Sequence, residues 1–167
     1  MPRAVGPYVF RSILCPVDFS TNARAALRYA AMLARLADAH LFVLYVDDPL
    51  LAIAANTRPD AAAILASANT ALRRFVSTAL ARSAPLPDTT LLTIAGKPAQ
   101  EIVNAAERRD CDLIVMGYRG TGRTARLLFG STTEGVVRTA PVPVVAVPPP
   151  RRRARLPHAG RRLRRAS

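Results

Sequence analysis

Apolar residues along this chain alternate between short runs rich in β-branched side chains and longer stretches with helical spacing. Ile13-Leu14-Cys15-Pro16-Val17 reads as a buried strand, with Cys15 near its end, and Ser20 follows as a candidate helix cap. Beyond it Ala23, Ala26, Leu27, Ala30, Leu33, Ala34 and Ala37 share one helical face, while Arg24, Arg28, Arg35 and Asp38 share another. Leu41 to Val46 is a second strand run, ended by Asp47-Asp48-Pro49. A second helix is predicted from about Asp60 to Arg82 on the stripe of Ile64, Leu65, Leu72, Phe75, Val76 and Leu80, and Pro85 and Pro87 stop it. Thr90 to Ile94 predicts a third strand. Gly96-Lys97-Pro98 then turns into a helix carrying Ile102, Val103 and Ala106, with Pro98 in the first turn, where no N–H is missed. Asp112 to Met116 reads as a fourth strand, Ser131 to Thr139 as a short helix and Val142 to Val147 as a fifth strand.

Five strands alternating with helical connections imply parallel pairing through right-handed crossovers, with helices on both faces. The expected fold class is therefore α/β, a doubly wound five-stranded parallel sheet of the Rossmann-like, nucleotide-binding kind. Such sheets bind ligands outside the carboxyl ends of the strands, where the strand order reverses. The segments 15–20, 46–48 and 117–131 would gather at that edge. Pro143 removes a backbone donor from the last run, which suits an edge strand, and an exposed apolar edge invites pairing.

Composition changes little in this picture until charge is placed. The 167 residues, 50% apolar and 21% charged, suffice for one domain with a core. No apolar run approaches the roughly 20 residues of a membrane span, and the first residues lack the apolar stretch of a signal peptide, so a cytoplasmic, non-membrane-spanning protein is expected. Cys15 and Cys111 have no metal-ligand spacing and read as free thiols. The net charge of +13 suggests a nucleic-acid partner, but eight of the 24 basic residues lie in the last 17 positions. Without them the body holds 16 basic against 11 acidic residues, a surplus of only five. The expected organisation is a flexible N-terminus at 1–7, one domain over 8–149 and a disordered arginine-rich tail at 150–167. Such a tail could make weak, salt-sensitive contact with nucleic acid or anionic lipid through residues 151–165.

The segment with the clearest chemistry is Met116-Gly117-Tyr118-Arg119-Gly120, followed after nine residues by Gly130-Ser131-Thr132-Thr133-Glu134. Glycines let backbone N–H groups approach an anion, and a helix start adds unpaired donors and about half a positive charge, so this reads as a phosphate site. Ser131-x-x-Glu134 also fits a capping box, which gives the Ser131 hydroxyl a rival role. Arg119, Arg123 and Arg126 carry guanidinium forks suited to phosphate. Gly120-Thr121-Gly122-Arg123-Thr124-Ala125 formally fits a dinucleotide fingerprint. It follows the fourth strand rather than opening the first crossover, and its acidic follower Glu134 comes too soon. No P-loop exists, and the single lysine, Lys97, stands beside Pro98.

Ile13 through Ser20, Gly96-Lys97-Pro98, and Asp112 through Gly117 and Gly130-Ser131 to Val145 together resemble the universal stress protein family over about residues 8 to 149. The spacing Gly-x2-Gly-x9-Gly-Ser, met by Gly117, Gly120, Gly130 and Ser131, resembles the branch of that family that binds ATP. The resemblance implies an adenine nucleotide alpha-hydrolase-like fold and a cofactor, ATP, with or without Mg2+. It places Pro16, Val17, Asp18 and the backbone of Val46 around adenine and ribose, and Met116 and Gly117 beside the ribose. It places Gly120, Gly130, Ser131 and Thr132 along the phosphates, and the neighbouring Arg119 and Thr133 complete the candidate cofactor-binding set. Asp18 is a short carboxylate suited to a ribose hydroxyl or a cation, or to the cap of the following helix. The resemblance also implies a homodimer through the last strand, 142–147.

Catalytic groups are sparse. His40 precedes the second strand and His158 lies in the tail, so neither is placed as a base for Ser20 or Ser131. The expectation is a stress-response or regulatory module that holds ATP with little or no turnover and is not an enzyme. The alternatives are an interaction protein acting through its basic tail, and a slow ATPase or autophosphorylating protein using Ser131, Thr132 or Thr133.

Overall fold

The structure is a computed structural model that describes residues 10–48, 61–81, 85–118 and 130–149. Its elements are β1 (Ser12–Val17), α1 (Thr21–Ala37), β2 (His40–Asp47), α2 (Ala61–Leu80), β3 (Thr89–Ala95), α3 (Pro98–Arg108), β4 (Leu113–Gly117), α4 (Ser131–Thr139) and β5 (Val144–Val147). All strand pairs are parallel, in the order β3-β2-β1-β4-β5. The expected doubly wound α/β class is therefore the one the chain adopts.

Side-chain alternation decides which helix covers which face. Ile13, Cys15, Leu41, Val43, Leu113 and Val115 point into a core shared with α1 and α2. Their neighbours Leu14, Leu44, Ile114 and Met116 point into a second core with Ile102, Ala105 and Ala106 of α3 and Val136 of α4. The chain winds outward from β1 to β3 under one layer, then crosses back over the other layer to reach β4 and β5. Right-handed crossovers require this change of face when the direction reverses.

Local signals set the element ends. Ser20 caps α1, its Oγ accepting from the Ala23 N–H at 3.0 Å, and Pro98 occupies the first turn of α3. Asp112 stitches the opposite edge of the sheet, one carboxylate oxygen accepting from the Arg11 and Ser12 N–H groups at 2.8 and 3.1 Å. Three sequence expectations shift. Cys15 lies inside β1 rather than at its end. β5 starts at Val144, since Pro143 has no N–H to place in a ladder, although its carbonyl still accepts from Ile114 at 3.0 Å. The α4 cap falls on Gly130 instead of Ser131. Cys15 and Cys111 are buried free thiols, as expected. The proposed terminal segments 1–7 and 150–167 lie outside the described residues.

Candidate functional site

The site begins where β1 and β4 stop pairing. β1 pairs with β2 over six positions, but with β4 only at Ile13↔Leu113 and Leu14↔Ile114. Pro16 supplies a reason. The Ser12 carbonyl accepts from the Asp112 N–H at 2.8 Å, so even-numbered positions of β1 address β4. The N–H that Pro16 lacks would have been the next donor on that side. A crevice opens beyond Leu14 at the carboxyl end of the two central strands, which is the topological switch point of this strand order.

The first turn of α1 packs against one wall. A Cβ built on Gly117 would lie 3.1 Å from the Asn22 carbonyl carbon and 3.2 Å from the Ala23 nitrogen. Glycine is required at the end of β4 because the helix backbone comes that close. Phe19 makes the turn from β1 into α1 with φ of 62°, a left-handed conformation costly for a bulky residue and of the kind that clusters at ligand sites. Its ring is stacked on Tyr45 at 4.6 Å and meets Phe75 edge-on at 5.5 Å, contacts that offset the strain.

On the side assigned to adenine and ribose, Val17 and Met116 are buried and Val46 is half-buried, so the floor is apolar. Asp18 Oδ1 accepts from the Ser20 N–H at 3.1 Å, so one of its oxygens already supports the start of α1. The Tyr45 hydroxyl donates to Asp47 Oδ1 at 3.5 Å. Burial first, then the charges of Asp47 and Asp18, raise the Tyr45 pKa, so the phenol stays protonated and the two carboxylates lie within its electrostatic reach. Phe19 and Tyr45 were missed in the sequence, where their one signal is the presence of aromatic rings at two adjacent strand ends in a chain with only 5% aromatics.

On the phosphate side the ends of segment 119–129 are held together, the Gly130 N–H donating to the Tyr118 carbonyl at 3.4 Å and the Tyr118 N–H to Val147 at 2.8 Å. Gly130 caps α4 with no side chain, and Ser131 and Thr132 occupy the first helical positions, exposed and half-exposed. The capping box is thus corrected. The Glu134 N–H bonds the Gly130 carbonyl at 2.9 Å, which releases the Ser131 hydroxyl from the capping role. Thr133 is a second correction, because its side chain is 2% exposed and its hydroxyl donates to the Gly117 carbonyl at 3.1 Å. It ties α4 to β4 instead of lining the phosphate path. Arg119, Gly120, Arg123 and Arg126 lie outside the described residues. Pro16, Val17, Asp18, Val46, Met116, Gly117, Gly130, Ser131 and Thr132 all come to the same carboxyl edge of the sheet.

His40 is the first residue of β2, at the opposite edge, where its ring nitrogens bond Asp88 at 2.8 Å and Thr90 at 2.9 Å. The seven residues of strand to Asp47 put it roughly 20 Å from the crevice. Among the described residues no group of three His, Cys, Asp or Glu side chains could hold a metal ion, and no helix is long and apolar enough to cross a membrane.

Strand order, crevice and helix N-termini define an open, doubly wound α/β protein with a candidate site at its switch point. The model of the universal stress protein family matches residues 10–148, and the chain belongs to that family. It is similar to a universal stress protein of Methanocaldococcus jannaschii, 30% identical over 151 residues that cover 88% of this chain and 87% of the relative. Among solved structures it resembles universal stress protein UspA from Lactobacillus plantarum, with a TM-score of 0.66, 32% identity and coverage of 82% and 97% of the two chains. A universal stress protein from Archaeoglobus fulgidus, solved in complex with dAMP, shares the fold at a TM-score of 0.60 and 24% identity, covering 83% of this chain and 98% of that one.

Proposed function

We propose that this protein is a regulatory, nucleotide-holding member of its family that keeps ATP in the crevice with little or no turnover. The observation that carries this reading is the Thr133–Gly117 hydrogen bond at 3.1 Å, which brings the first turn of α4 against the end of β4. Gly117, Gly130, Ser131 and Thr132 thereby share one edge with Asp18 and the apolar floor of Val17, Val46 and Met116. An adenine fits an apolar floor, and phosphate fits a helix start whose cap has no side chain to occupy the N–H donors. The dAMP complex of a structural neighbour supports an adenine nucleotide as the ligand class. Any Mg2+ would arrive with the triphosphate, with Asp18 as a candidate carboxylate for it. The distance of His40 from the crevice supports binding over catalysis, since it removes a general base from the reach of Ser131.

The test is to purify the full chain, extract bound small molecules, and titrate ATP calorimetrically while following phosphate release. Adenine nucleotide in the extract with negligible release is the expected result. An empty extract together with no heat of binding at millimolar ATP would refute the reading.

We also propose a homodimer paired through β5. β5 is an edge strand, its four residues are half-buried, and the exposed apolar residues Tyr29, Met32 and Leu36 of α1 and Val137 of α4 lie in the two layers that flank the sheet.

A further inference from the structure

Charge is segregated between the two helical layers. Helices α1 and α2 contain Arg24, Arg28, Arg35, Arg73 and Arg74 and not one aspartate or glutamate. Helices α3 and α4 contain Glu101, Glu107 and Glu134 beside Arg108 and Arg138. Ion pairing follows the same division. Arg108 meets Glu101 at 3.3 Å and Arg138 meets Glu134 at 3.1 Å, whereas among the described residues none of the five arginines of the first layer pairs with a carboxylate.

Their partners are neutral instead. The Arg24 guanidinium lies 4.8 Å from the Phe75 ring centroid and donates to Thr78 Oγ1 at 3.2 Å, and Arg28 Nε donates to the Ala79 carbonyl at 2.9 Å. These contacts hold the side chains along the seam between the helices without neutralising them, and each guanidinium has five N–H donors to offer. An open groove of about 430 Å³ runs there, lined by Phe19, Arg24, Ala71, Arg74, Phe75 and Thr78. Around it α2 exposes Ser67, Asn69, Thr70, Arg73 and Ser77, and no large apolar side chain of α2 is exposed.

We propose that this α1/α2 face is a docking surface for the phosphate backbone of nucleic acid. Charge complementarity is the first argument, since five arginines stand on this layer without a carboxylate partner among the described residues. Guanidinium forks interspersed with hydroxyl and amide groups are the side chains that contact phosphate oxygens, which is the second. Arg24 to Arg35 spans eleven residues of α1, roughly 16 Å at the helical rise, enough to meet several phosphates of one strand. An anionic bilayer fits α2 less well, because peripheral helices add large apolar residues that insert, and the exposed ones of this layer, Tyr29, Met32 and Leu36, all lie on α1. Contacts of this kind carry no base recognition, so the binding is independent of nucleotide sequence and falls with salt. This surface adjoins the crevice at Phe19, but the proposal needs no bound nucleotide.

The test uses the full chain and a labelled DNA duplex of about 20 base pairs, followed by fluorescence anisotropy between about 50 and 200 mM salt. Replacing Arg73→Gln and Arg74→Gln together, two exposed positions with no side-chain bond to another described residue, is expected to weaken binding at least about tenfold and to lower the log–log salt slope by about two. The pair Arg108→Gln and Arg138→Gln, on the other layer, is expected to leave both values unchanged. Three results would each overturn the proposal: no DNA binding by the parent chain at tens of micromolar, an unchanged slope in the Arg73/Arg74 variant, or equal losses in the two double variants. If the Arg73/Arg74 variant instead loses only its retention on phosphatidylserine vesicles, the face belongs to a lipid surface and the proposal is wrong.

Discussion

The Thr133 hydroxyl donates to the Gly117 carbonyl across 16 residues of chain, at 3.1 Å, and so fixes the first turn of α4 against the last residue of β4. Removing the donor while keeping the shape, as in Thr133→Val, leaves a carbonyl without its partner in a site 2% exposed. A loss of about 1–2 kcal/mol is expected. Adenine-nucleotide affinity is expected to fall as well, since the helix start loses its registration. Thr133→Ser is expected to retain both. Thermal melts and calorimetric titration measure the two effects, and a Thr133→Val protein with parental values in both would refute the tether.

Gly117→Ala places a methyl group 3.1–3.2 Å from the backbone of Asn22 and Ala23. The obstacle is helix backbone and not the end of a flexible side chain, so the strain is expected to cost about 1–3 kcal/mol. The altered packing of α1 also shifts Asp18, whose carboxylate is hydrogen-bonded to Ser20 at the start of that helix. Denaturant midpoints of the two proteins supply the check, and identical midpoints would mean that α1 can retreat freely.

Alkaline pH should destabilise the fold through its buried thiols. Burial raises Cys15 far above its ordinary value of 9.0, and it raises Cys111 in the same direction. A raised folded pKa means the native state keeps a proton that the unfolded chain releases. Stability is therefore complete below about pH 9 and is lost as pH rises toward the folded value, by at most about 1.4 kcal/mol per pH unit for each thiol. Cys15→Ala is expected to melt lower at neutral pH, from the cavity it leaves, yet to show a flatter alkaline limb. Parallel alkaline limbs in the two proteins would exclude Cys15 as the source.

Ala146→Pro tests the dimer. The Pro143 carbonyl bonds the Ile114 N–H and the Val147 carbonyl bonds the Tyr118 N–H, so odd-numbered positions of this segment address β4 and Ala146 turns its N–H outward. Proline there removes a donor from the free edge and spares the β4 ladder. Light scattering at micromolar concentration is expected to give twice the chain mass for the parent and the single-chain mass for the variant. A monomeric parent would remove the dimer from consideration.

Much of this was legible in the residues. The helical period of Ala23, Leu27, Ala30 and Ala34 and the apolar runs at 13–17, 41–46 and 113–116 record burial directly, because a side chain's place on a helix face or a sheet face follows from its spacing. The cap at Ser20 was equally readable, since its donor lies three residues away. The capping role of Ser131 stayed open in the sequence because two adjacent small residues, Gly130 and Ser131, both suit a helix start. Which one takes the cap depends on where the chain leaves the Tyr118–Gly130 contact. Thr133 looked like its neighbours in the hydroxyl run, and only its 2% exposure separates it from Thr132.

The sequence by itself determined the element order, the doubly wound class and the edge of the sheet that carries the candidate site. Each of these rests on periodicity or on contacts between residues close along the chain. Tertiary structure alone decided that β1 and β4 part beyond Leu14, that Phe19 is held in a left-handed turn by Tyr45 and Phe75, and that the arginines of α1 and α2 gather on one unpaired face. Those outcomes join residues 26 or more positions apart. They are set by which strand lies beside which and by how closely a helix backbone can approach a strand end, and no local pattern along the chain encodes either distance.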